Sequence, residues 1–294
     1  ERKDKYYIEK CVCLSDGWDK VMEQISNYDA VLLYDITAKN RNLILKYCYQ
    51  YDKEIYMTSK ISDVILRSSK DILLFDTPLL VVQNSGLSFF QKFVKRGMDL
   101  VISVIVLIIT SPLLLIVAIC IKAYDHGPVF FIQKRCTLGG KVFNIYKFRS
   151  MIVDAEKDGK SRPATDDDER ITPVGRVIRK TRIDELPQLF NVLKGDMSIV
   201  GPRPERVEHV EIYTEEIPEF AYRMKVKGGL TGYAQVYGKY NTTAYDKLKM
   251  DLMYIENYSV LLDLKLILMT IKVMFMKAST EGFSEKQQKD ISER

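Results

Sequence analysis

Residues that could act on a phosphate group are concentrated in the middle of the chain. They lie in four stretches, residues 127–151, 154–156, 181–205 and 228–238. The first of these alternates β-forming residues with Gly turns, which predicts a hairpin. Within them Arg149 and Arg203 can each hold two phosphoryl oxygens through a planar guanidinium. A carboxylate beside them can attack phosphorus or bind Mg²⁺. Together the stretches predict a phosphoryl-transfer site, although any single acid–arginine pair would equally suit a surface ion pair. No Walker loop or kinase signature is present, which argues against ATP chemistry.

An uncharged segment, LVISVIVLIITSPLLLIVAICI at residues 100–121, precedes these stretches. It is long enough to cross a bilayer, which needs about 20 apolar residues of helix. Proline interrupts the helix at Pro112, and the hydroxyl of Ser111 can satisfy the carbonyl that proline frees. Basic residues flank the segment on both sides: Lys95, Arg96 and Lys122. Such residues favour the cytoplasmic side. On these residues alone a kinked transmembrane helix and a re-entrant helix are equally supported.

Composition narrows the class of protein. The chain has 294 residues and a formal net charge of +5, and residues 93–150 hold eight Lys and Arg against two Asp. This basic collar suits an anionic membrane surface or a phosphate-bearing substrate, and no nucleic-acid-binding module accompanies it. The five cysteines fit neither a disulfide framework nor a zinc pattern, so we read them as reduced thiols of a cytoplasmic protein.

Alternating strand and helix patterns predict a small α/β domain, partly Rossmann-like, over residues 1–88. The expected strands are DAVLLYDI, KEIYMT and ILLFDTPLLVVQ, which would form a parallel sheet. No GxGxxG follows a strand, so we read this domain as accessory or regulatory. We expect a catalytic domain over residues 89–278, including a membrane helix at 95–123, and a flexible tail at 279–294.

A second apolar stretch, DLMYIENYSVLLDLKLILMTIKVMFMK at residues 251–277, is interrupted by charges. No uncharged run within it is long enough for a second span. It suits an amphipathic helix at the membrane interface with snorkelling lysines, or a buried core helix, about equally well.

Four long motifs resemble those of the bacterial sugar transferases: GPVFFIQKR, YKFRSM, DELPQLFNVLKGDMSIVGPRPE and GLTGYAQVYG. These are the monotopic phosphoglycosyl transferases that begin capsule, exopolysaccharide or O-antigen synthesis. The resemblance covers residues 89–278. It implies a membrane-associated α+β catalytic domain with amphipathic interfacial helices, in which Ser111 and Pro112 break a re-entrant helix. It also implies the bacterial inner membrane, with the catalytic domain on the cytoplasmic face. Large members carry further N-terminal transmembrane helices, so we expect this chain to be a fragment. Large members also suggest a homodimer.

The reaction implied by the resemblance moves a sugar 1-phosphate from a UDP-sugar to polyprenyl (undecaprenyl) phosphate and releases UMP. The family uses an Asp nucleophile, a covalent phosphosugar intermediate and Mg²⁺. The sequence leaves the sugar open among glucose, galactose and N-acetylated sugars. Two alternatives are a membrane-docked scaffold or regulator of polysaccharide assembly, and a glycosyltransferase that passes the sugar alone and releases UDP.

Carried over residue by residue, the resemblance makes Asp154 the nucleophile, Glu156 with Asp154 the Mg²⁺ ligands, and Arg149 a catalytic phosphate clamp. The implied substrate-binding residues are Arg203, Lys147, Gln133, Arg135, Gln235 and Tyr237. In the family the acid pair is often adjacent, whereas Ala155 intervenes here. Residues two apart point about 200° apart on a regular helix, so these roles require an irregular backbone. This departure is the feature that favours the scaffold alternative.

The adjacent acids Asp184 and Glu185 belong to the separate DELPQ motif, which we interpret as architectural or as supporting the arginines. Asp196 and Ser198 would either orient the loop before Arg203 or act only structurally.

Overall fold

The chain divides into two compact units, Glu1–Lys60 and Ile61–Arg294. The structure, a computed structural model, describes residues 7–82, 86–153, 155, 168–238 and 242–274. Helices and strands are mixed in both units, as the α+β prediction requires. The predicted tail at 279–294 lies outside the described residues.

The first unit is built on one strand–helix–strand element. Its parts are α1 (Trp18–Ser26), β1 (Ala30–Leu33), α2 (Ala38–Gln50) and β2 (Glu54–Met57). The two strands pair in parallel, with Ala30 opposite Glu54. Alternate strand residues turn toward the helices, so Leu33 packs with Ile44 and Cys48 in the unit's core. The first two predicted strands and the helix between them are confirmed.

The predicted third strand of that sheet is wrong. After α3 (Ile61–Leu66), the stretch folds as an antiparallel hairpin of β3 (Lys70–Leu74) and β4 (Thr77–Val81) in the second unit. A two-residue turn reverses the chain, with Phe75 at φ 55°. Pro78 lacks an N–H and therefore fits a short outer strand better than the middle of a sheet.

The apolar segment is part of one long helix, α4 (Phe89–Asp125). Ser88 caps it reciprocally with Gln91, so the helix begins well before the predicted residue 95. At 37 residues it would measure about 55 Å if straight, against about 30 Å for a bilayer core. It is long and apolar enough to cross a membrane, and 11% of its most apolar window is buried.

Both halves of α4 pack against the second unit. Before the proline, Ile102, Val106 and Leu107 pack on the main core. After it, Val117 and Ile121 enter a smaller core. At about 100° per residue these five positions fall within one side of the helix, so they share a face. Much of the remaining surface of the helix is exposed and apolar.

The rest of the second unit surrounds two small sheets. The antiparallel hairpin β5 (Phe130–Cys136) and β6 (Val142–Phe148) confirms the hairpin predicted from the sequence. The parallel pair is β7 (Ser198–Val200) with β8 (Gly229–Thr231). The helices are α5 (Pro173–Lys180), α6 (Gln188–Lys194), α7 (Val207–Glu216), α8 (Tyr233–Tyr237), α9 (Ala244–Glu256) and α10 (Val260–Met274). Short 3₁₀ turns lie at Leu138–Gly140, Ile183–Glu185 and Pro218–Lys225.

The second apolar stretch is divided between α9 and α10. Helix α9 is a core helix that buries Leu248, Leu252 and Tyr254. On α10 one face buries Asp263 and Leu266. Its opposite face leaves four apolar residues exposed: Leu261, Leu264, Leu268 and Ile271. The core interpretation therefore fits α9, whereas α10 has the two faces of an interfacial helix.

Candidate functional site

One face of the β5–β6 hairpin carries several of the predicted residues. Residues directly opposite in an antiparallel pair share a face. The register sets Phe131 opposite Lys147, Gln133 opposite Ile145 and Arg135 opposite Phe143. Phe143 and Ile145 are buried and hold this face against the core. Gln133, Arg135 and Lys147 therefore project from the same side of the sheet.

Three charged residues from different elements meet beside this face. Lys147 lies on β6, Glu185 ends a 3₁₀ turn, and Arg203 follows β7. Lys147 Nζ and Arg203 Nη2 each donate to Glu185 Oε1 at 2.8 Å. We call these three residues the Glu185 cluster. Arg203 keeps 38% of its side-chain surface exposed, so its remaining N–H groups can receive an anion.

Burial and charge act in opposite directions on the Glu185 cluster. Burial alone would raise the pKa of Glu185, but Arg203 and Lys147 outweigh it and hold that pKa well below its usual value. Burial lowers the pKa of Lys147, and Glu185 offsets part of the effect. The neighbouring Asp184 differs, because burial and the charge of Glu185 raise its pKa to about 6. The Glu185 cluster thus combines one carboxylate, whose pKa is lowered by its partners, with two basic side chains.

The loop that carries Arg203 is held through its backbone. Gly229 N donates to Pro202 O at 2.8 Å, and Arg223 Nη2 donates to Arg203 O at 2.9 Å. Arg223 is 5% exposed in its side chain and lies 2.8 Å from Asp251 Oδ2 on α9. These bonds leave the Arg203 side chain as the part of the loop that is free to meet a ligand.

Arg135 and Gln133 border the same loop. Arg135 Nη2 donates to Gln133 Oε1 at 2.7 Å, and its Nη1 donates to Pro204 O at 3.2 Å. Burial, with Arg203 nearby, lowers the pKa of Arg135 to about 10. Its Nε has no hydrogen-bond partner among the described residues. Arg135 and Arg203 therefore place two guanidinium groups close together, which an anion would stabilise.

Arg149 lies two residues beyond Lys147 but is bound elsewhere. Its N donates to Val129 O, which extends the hairpin ladder, and its guanidinium pairs with Asp125 at the end of α4. The residue is 6% exposed, and its Nε and Nη1 have no partner within the described part of the chain. A Cβ on Gly127 would lie 1.9 Å from Nη1. Arg149 thus keeps buried donors available beside the end of α4.

The predicted catalytic acids Asp154 and Glu156 lie outside the described residues. Ala155 between them is described: its N donates to Ile152 O, and its O accepts from Arg170 Nη1 at 3.3 Å. The roles assigned to the two acids stay predictions.

Gln235 and Tyr237 sit on α8, which contacts α9 and α10. Tyr237 Oη donates to Met269 of α10. The side chain of Gln235 lies against Gly232, since a Cβ there would be 2.8 Å from Gln235 Oε1. Among the described residues, neither side chain contacts Lys147, Glu185 or Arg203. Their predicted role in lining a sugar or nucleotide pocket stays a prediction.

Sequence reasoning missed the acid that pairs with Arg149 and the arginine that holds the Arg203 loop. Asp125 and Arg223 are remote from their partners along the chain, so spacing gave no signal for either. Ser198 donates its hydroxyl to Asp99 of α4 at 3.0 Å, and whether it orients the Arg203 loop or acts only structurally stays a prediction. Asp99 did carry a signal that was overlooked, namely an ionisable residue at the border of an apolar segment.

Comparisons of the chain with known proteins agree on one family. The model of the family described as bacterial sugar transferase matches residues 90–277. The chain is 42% identical over 253 residues to a UDP-N-acetylgalactosamine-undecaprenyl-phosphate N-acetylgalactosaminephosphotransferase of Aeromonas hydrophila, covering 84% of this chain and 59% of that protein. It is 42% identical over 207 residues to a UDP-glucose:undecaprenyl-phosphate glucose-1-phosphate transferase of Klebsiella pneumoniae, covering 69% of this chain and 44% of that protein.

A third relative is named for another sugar. The undecaprenyl-phosphate galactose phosphotransferase of Salmonella typhimurium is 39% identical over 214 residues, which is 68% of this chain and 44% of that protein. The chain spans about half the length of the curated relatives it matches. The family match covers the hairpin, the Glu185 cluster and α4 together. This chain belongs to the bacterial sugar transferase family.

Proposed function

We propose that the chain transfers a sugar 1-phosphate from a UDP-sugar to polyprenyl phosphate and releases UMP. The observation that carries this proposal is the convergence of Lys147 and Arg203 on Glu185, with Arg135 close to Arg203. A diphosphate bound there would meet several fixed cations at once. The names of three relatives, each a sugar phosphotransferase acting with undecaprenyl phosphate, support the same reaction.

The proposed reaction has two displacements at one phosphorus atom. An oxygen of Asp154 attacks the phosphorus that bears the sugar, the bond to the bridging oxygen breaks, and UMP leaves with that oxygen. An oxygen of polyprenyl phosphate then attacks the same phosphorus and releases the Asp154 carboxylate. Covalent catalysis divides one difficult transfer into two easier ones. Arg203 and Lys147 would neutralise the charge on the phosphates and orient them in both steps.

We propose Asp154 and Glu156 as the residues that hold Mg²⁺, which prefers carboxylate oxygens and phosphates as ligands. When bound, the ion would neutralise charge on the diphosphate. Arg149 directly follows β6, the strand that carries Lys147. Its Nε and Nη1, which have no partner among the described residues, can bind a phosphate oxygen without a metal.

We also propose that α4 enters the membrane and returns to the cytoplasmic face. Pro112 frees the carbonyl of Ile108, and Ser111 Oγ donates to that oxygen at 2.9 Å, so a bend leaves no unpaired group in lipid. Contacts of both halves of α4 with the same compact unit support two ends on one side. Lys95, Arg96 and Lys122 near those ends favour the cytoplasm. The site would then face the phosphate of a lipid substrate.

The exposed apolar face of α10 supports an additional contact with the membrane interface. Leu261 is 78% exposed and Leu268 is 67% exposed, although both are large aliphatic residues. Such a face gains free energy when it is buried among lipid headgroups and acyl chains. Membrane lipid is thus proposed as a partner, and a second copy of the chain stays a prediction.

The test is an assay of the purified chain in nanodiscs with undecaprenyl phosphate and Mg²⁺. UDP-glucose, UDP-galactose and their N-acetylated counterparts are supplied separately, and UMP and UDP are measured. Release of UMP with one sugar supports the proposal. Release of UDP would indicate transfer of the sugar alone, and no release with any sugar would favour the scaffold alternative.

A substitution tests the nucleophile. Asp154→Asn should abolish UMP release and the labelled phosphosugar adduct, because an amide oxygen is a poor nucleophile. Glu216→Gln, an exposed acid at the end of α7, is the matched control and should behave as wild type. Full activity of the Asp154 variant would assign the nucleophile to another residue.

A further inference from the structure

Three of the four charged residues in the first turns of α4 each bind a different part of the second unit. Lys95 Nζ lies 2.6 Å from Asp263 Oδ2 on α10. Arg96 donates to the last carbonyls of α6, at 2.6 Å from Val192 O and 2.8 Å from Leu193 O. Asp99 accepts two hydrogen bonds from β7. These contacts join the N-terminal part of α4 to α10 and also to α6 and β7, which adjoin Glu185 and Arg203 along the chain.

Asp99 makes the most direct of these contacts. Its Oδ1 accepts from Ser198 Oγ at 3.0 Å and from Ile199 N at 2.9 Å, and the residue is 4% exposed. The sheet has two strands, so one edge of β7 lies away from β8. Without Asp99, the backbone N–H of Ile199 on that edge would be buried with no acceptor. The carboxylate of Asp99 takes the place of a third strand at Ile199.

A second connection reaches the end of the same strand. Tyr254 Oη lies 3.2 Å from Val200 O and 2.8 Å from Asp263 Oδ1. Asp263 is the partner of Lys95, one helical turn before Asp99 on the same face of α4. Val200 is three residues before Arg203. The strand that leads into the Arg203 loop is therefore connected to α4 at two successive residues. Ile199 bonds to Asp99 directly, and Val200 is connected to Lys95 through Tyr254 and Asp263.

Glu185 is connected to the same turn of α4 through helix α6. Arg96 caps the C-terminus of α6, where unpaired carbonyls attract a cation. Helix α6 begins at Gln188, three residues after Glu185. One turn of α4 thus holds both sequence segments that supply the Glu185–Arg203 ion pair.

We propose that Asp99 is a positioning residue that sets the place of Arg203 through β7. This inference rests on the proposed function only in taking Arg203 as a phosphate-binding group. Asp99 itself contacts no substrate. Its effect is carried by the two hydrogen bonds, so an acceptor of the same shape should replace it and a methyl group should not.

The test compares three variants of the full chain in nanodiscs: Asp99→Ala, Asp99→Asn and Ser103→Ala. Ser103 is the control, because it is a fully buried hydroxyl one turn further along the same face with no partner among the described residues. Hydrogen exchange of the peptide covering β7 is measured without substrate. Asp99→Ala should speed exchange by about tenfold or more, because a hydrogen bond to a charged acceptor is lost. Asp99→Asn and Ser103→Ala should remain close to wild type.

Kinetics and anion binding then report on Arg203. Asp99→Ala should raise the KM for the UDP-sugar and the Kd for inorganic pyrophosphate by about tenfold, and Asp99→Asn should restore both. A merely structural role would reduce the active fraction, lower the apparent kcat and leave KM unchanged. Unchanged exchange and pyrophosphate binding in Asp99→Ala would overturn the proposal, as would an Asn variant as impaired as the Ala variant. If wild type turns over no UDP-sugar, the proposed function fails, while exchange and pyrophosphate binding still decide the role of Asp99.

Discussion

Glu185→Gln is the most informative perturbation of the cluster, because a single oxygen of Glu185 accepts from both cations. Lys147 and Arg203 each lie 2.8 Å from Oε1. Glutamine keeps the size of the side chain but loses the charge, so two neighbouring cations would face each other without the carboxylate that both of them contact. Both folding stability and the arrangement of the cations should therefore change.

The magnitude follows from burial. A hydrogen bond to a charged group contributes about 1.5–3 kcal/mol. Lys147 is 17% exposed in its side chain and loses most of that contribution, whereas Arg203 is 38% exposed and water replaces much of its share. One neutral hydrogen bond to the amide oxygen can remain. We expect Glu185→Gln to lower the free energy of unfolding by about 2–3 kcal/mol.

The assay is reversible unfolding of the chain in detergent, with Glu185→Gln, Lys147→Met and the double variant. The coupling energy between the two sites should be about 1–2 kcal/mol. Because the pKa of Glu185 is held well below its usual value, its contribution is present above the pKa of an unfolded Glu. It is lost only as pH falls through the lower folded pKa. The difference between wild type and Glu185→Gln should thus be constant through neutral pH and shrink in acid.

Additive effects of the two substitutions would refute this reasoning, since they would mean that the carboxylate does not hold the lysine. A Glu185→Gln variant as stable as wild type at neutral pH would refute it as well.

Other predictions concern neighbouring groups. Asp184→Asn should stabilise the protein at pH 7 by about 1–3 kcal/mol, because the pKa of Asp184 is raised to about 6 and ionisation therefore opposes folding. The gain should vanish below about pH 4, where the carboxyl is protonated in both the folded and unfolded states, and an equal gain at both pH values would contradict this cause. Gly127→Ala should displace Arg149 from Asp125, because its Cβ would lie 1.9 Å from Nη1, and should lower kcat/KM for the UDP-sugar by about tenfold or more. Wild-type kinetics would show that this contact is dispensable. Ser111→Ala should lower thermal stability in nanodiscs by about 0.6–2 kcal/mol, because Ile108 O loses its donor. The same change should be silent in a Pro112→Ala background, where a restored N–H reaches that oxygen, and a loss of equal size there would disprove the explanation.

Local patterns were sufficient to predict the hairpin at residues 130–148, because β-forming residues alternate there around a Gly turn. For the DELPQ acids the sequence left two roles open, architectural or supporting the arginines, and the structure pairs Glu185 with Arg203. The third strand was predicted wrongly because an apolar run does not reveal whether it continues or reverses. Asp76, Thr77 and Pro78 were the turn signal within that run.

Long-range pairing could not be predicted in the same way. Nothing near Arg149 in the sequence indicates Asp125, and nothing near Ile199 indicates Asp99. Each pair depends on the path of α4 through the fold. Periodicity does not report which distant segments become neighbours, so the partners of the predicted arginines became apparent only in three dimensions.

The contacts of α4 also bear on how the chain assembles. Asp99 and Ile199 are 100 residues apart in sequence, and Lys95 and Asp263 are 168 apart. During synthesis the N-terminal side of each pair emerges first, so α4 exists before the later strands and helices that pack on it. If α4 enters the bilayer as proposed, those segments would condense on a template already anchored in lipid. A shortened version that begins after Asp125 would lack this template, and we expect it to aggregate rather than yield a water-soluble enzyme.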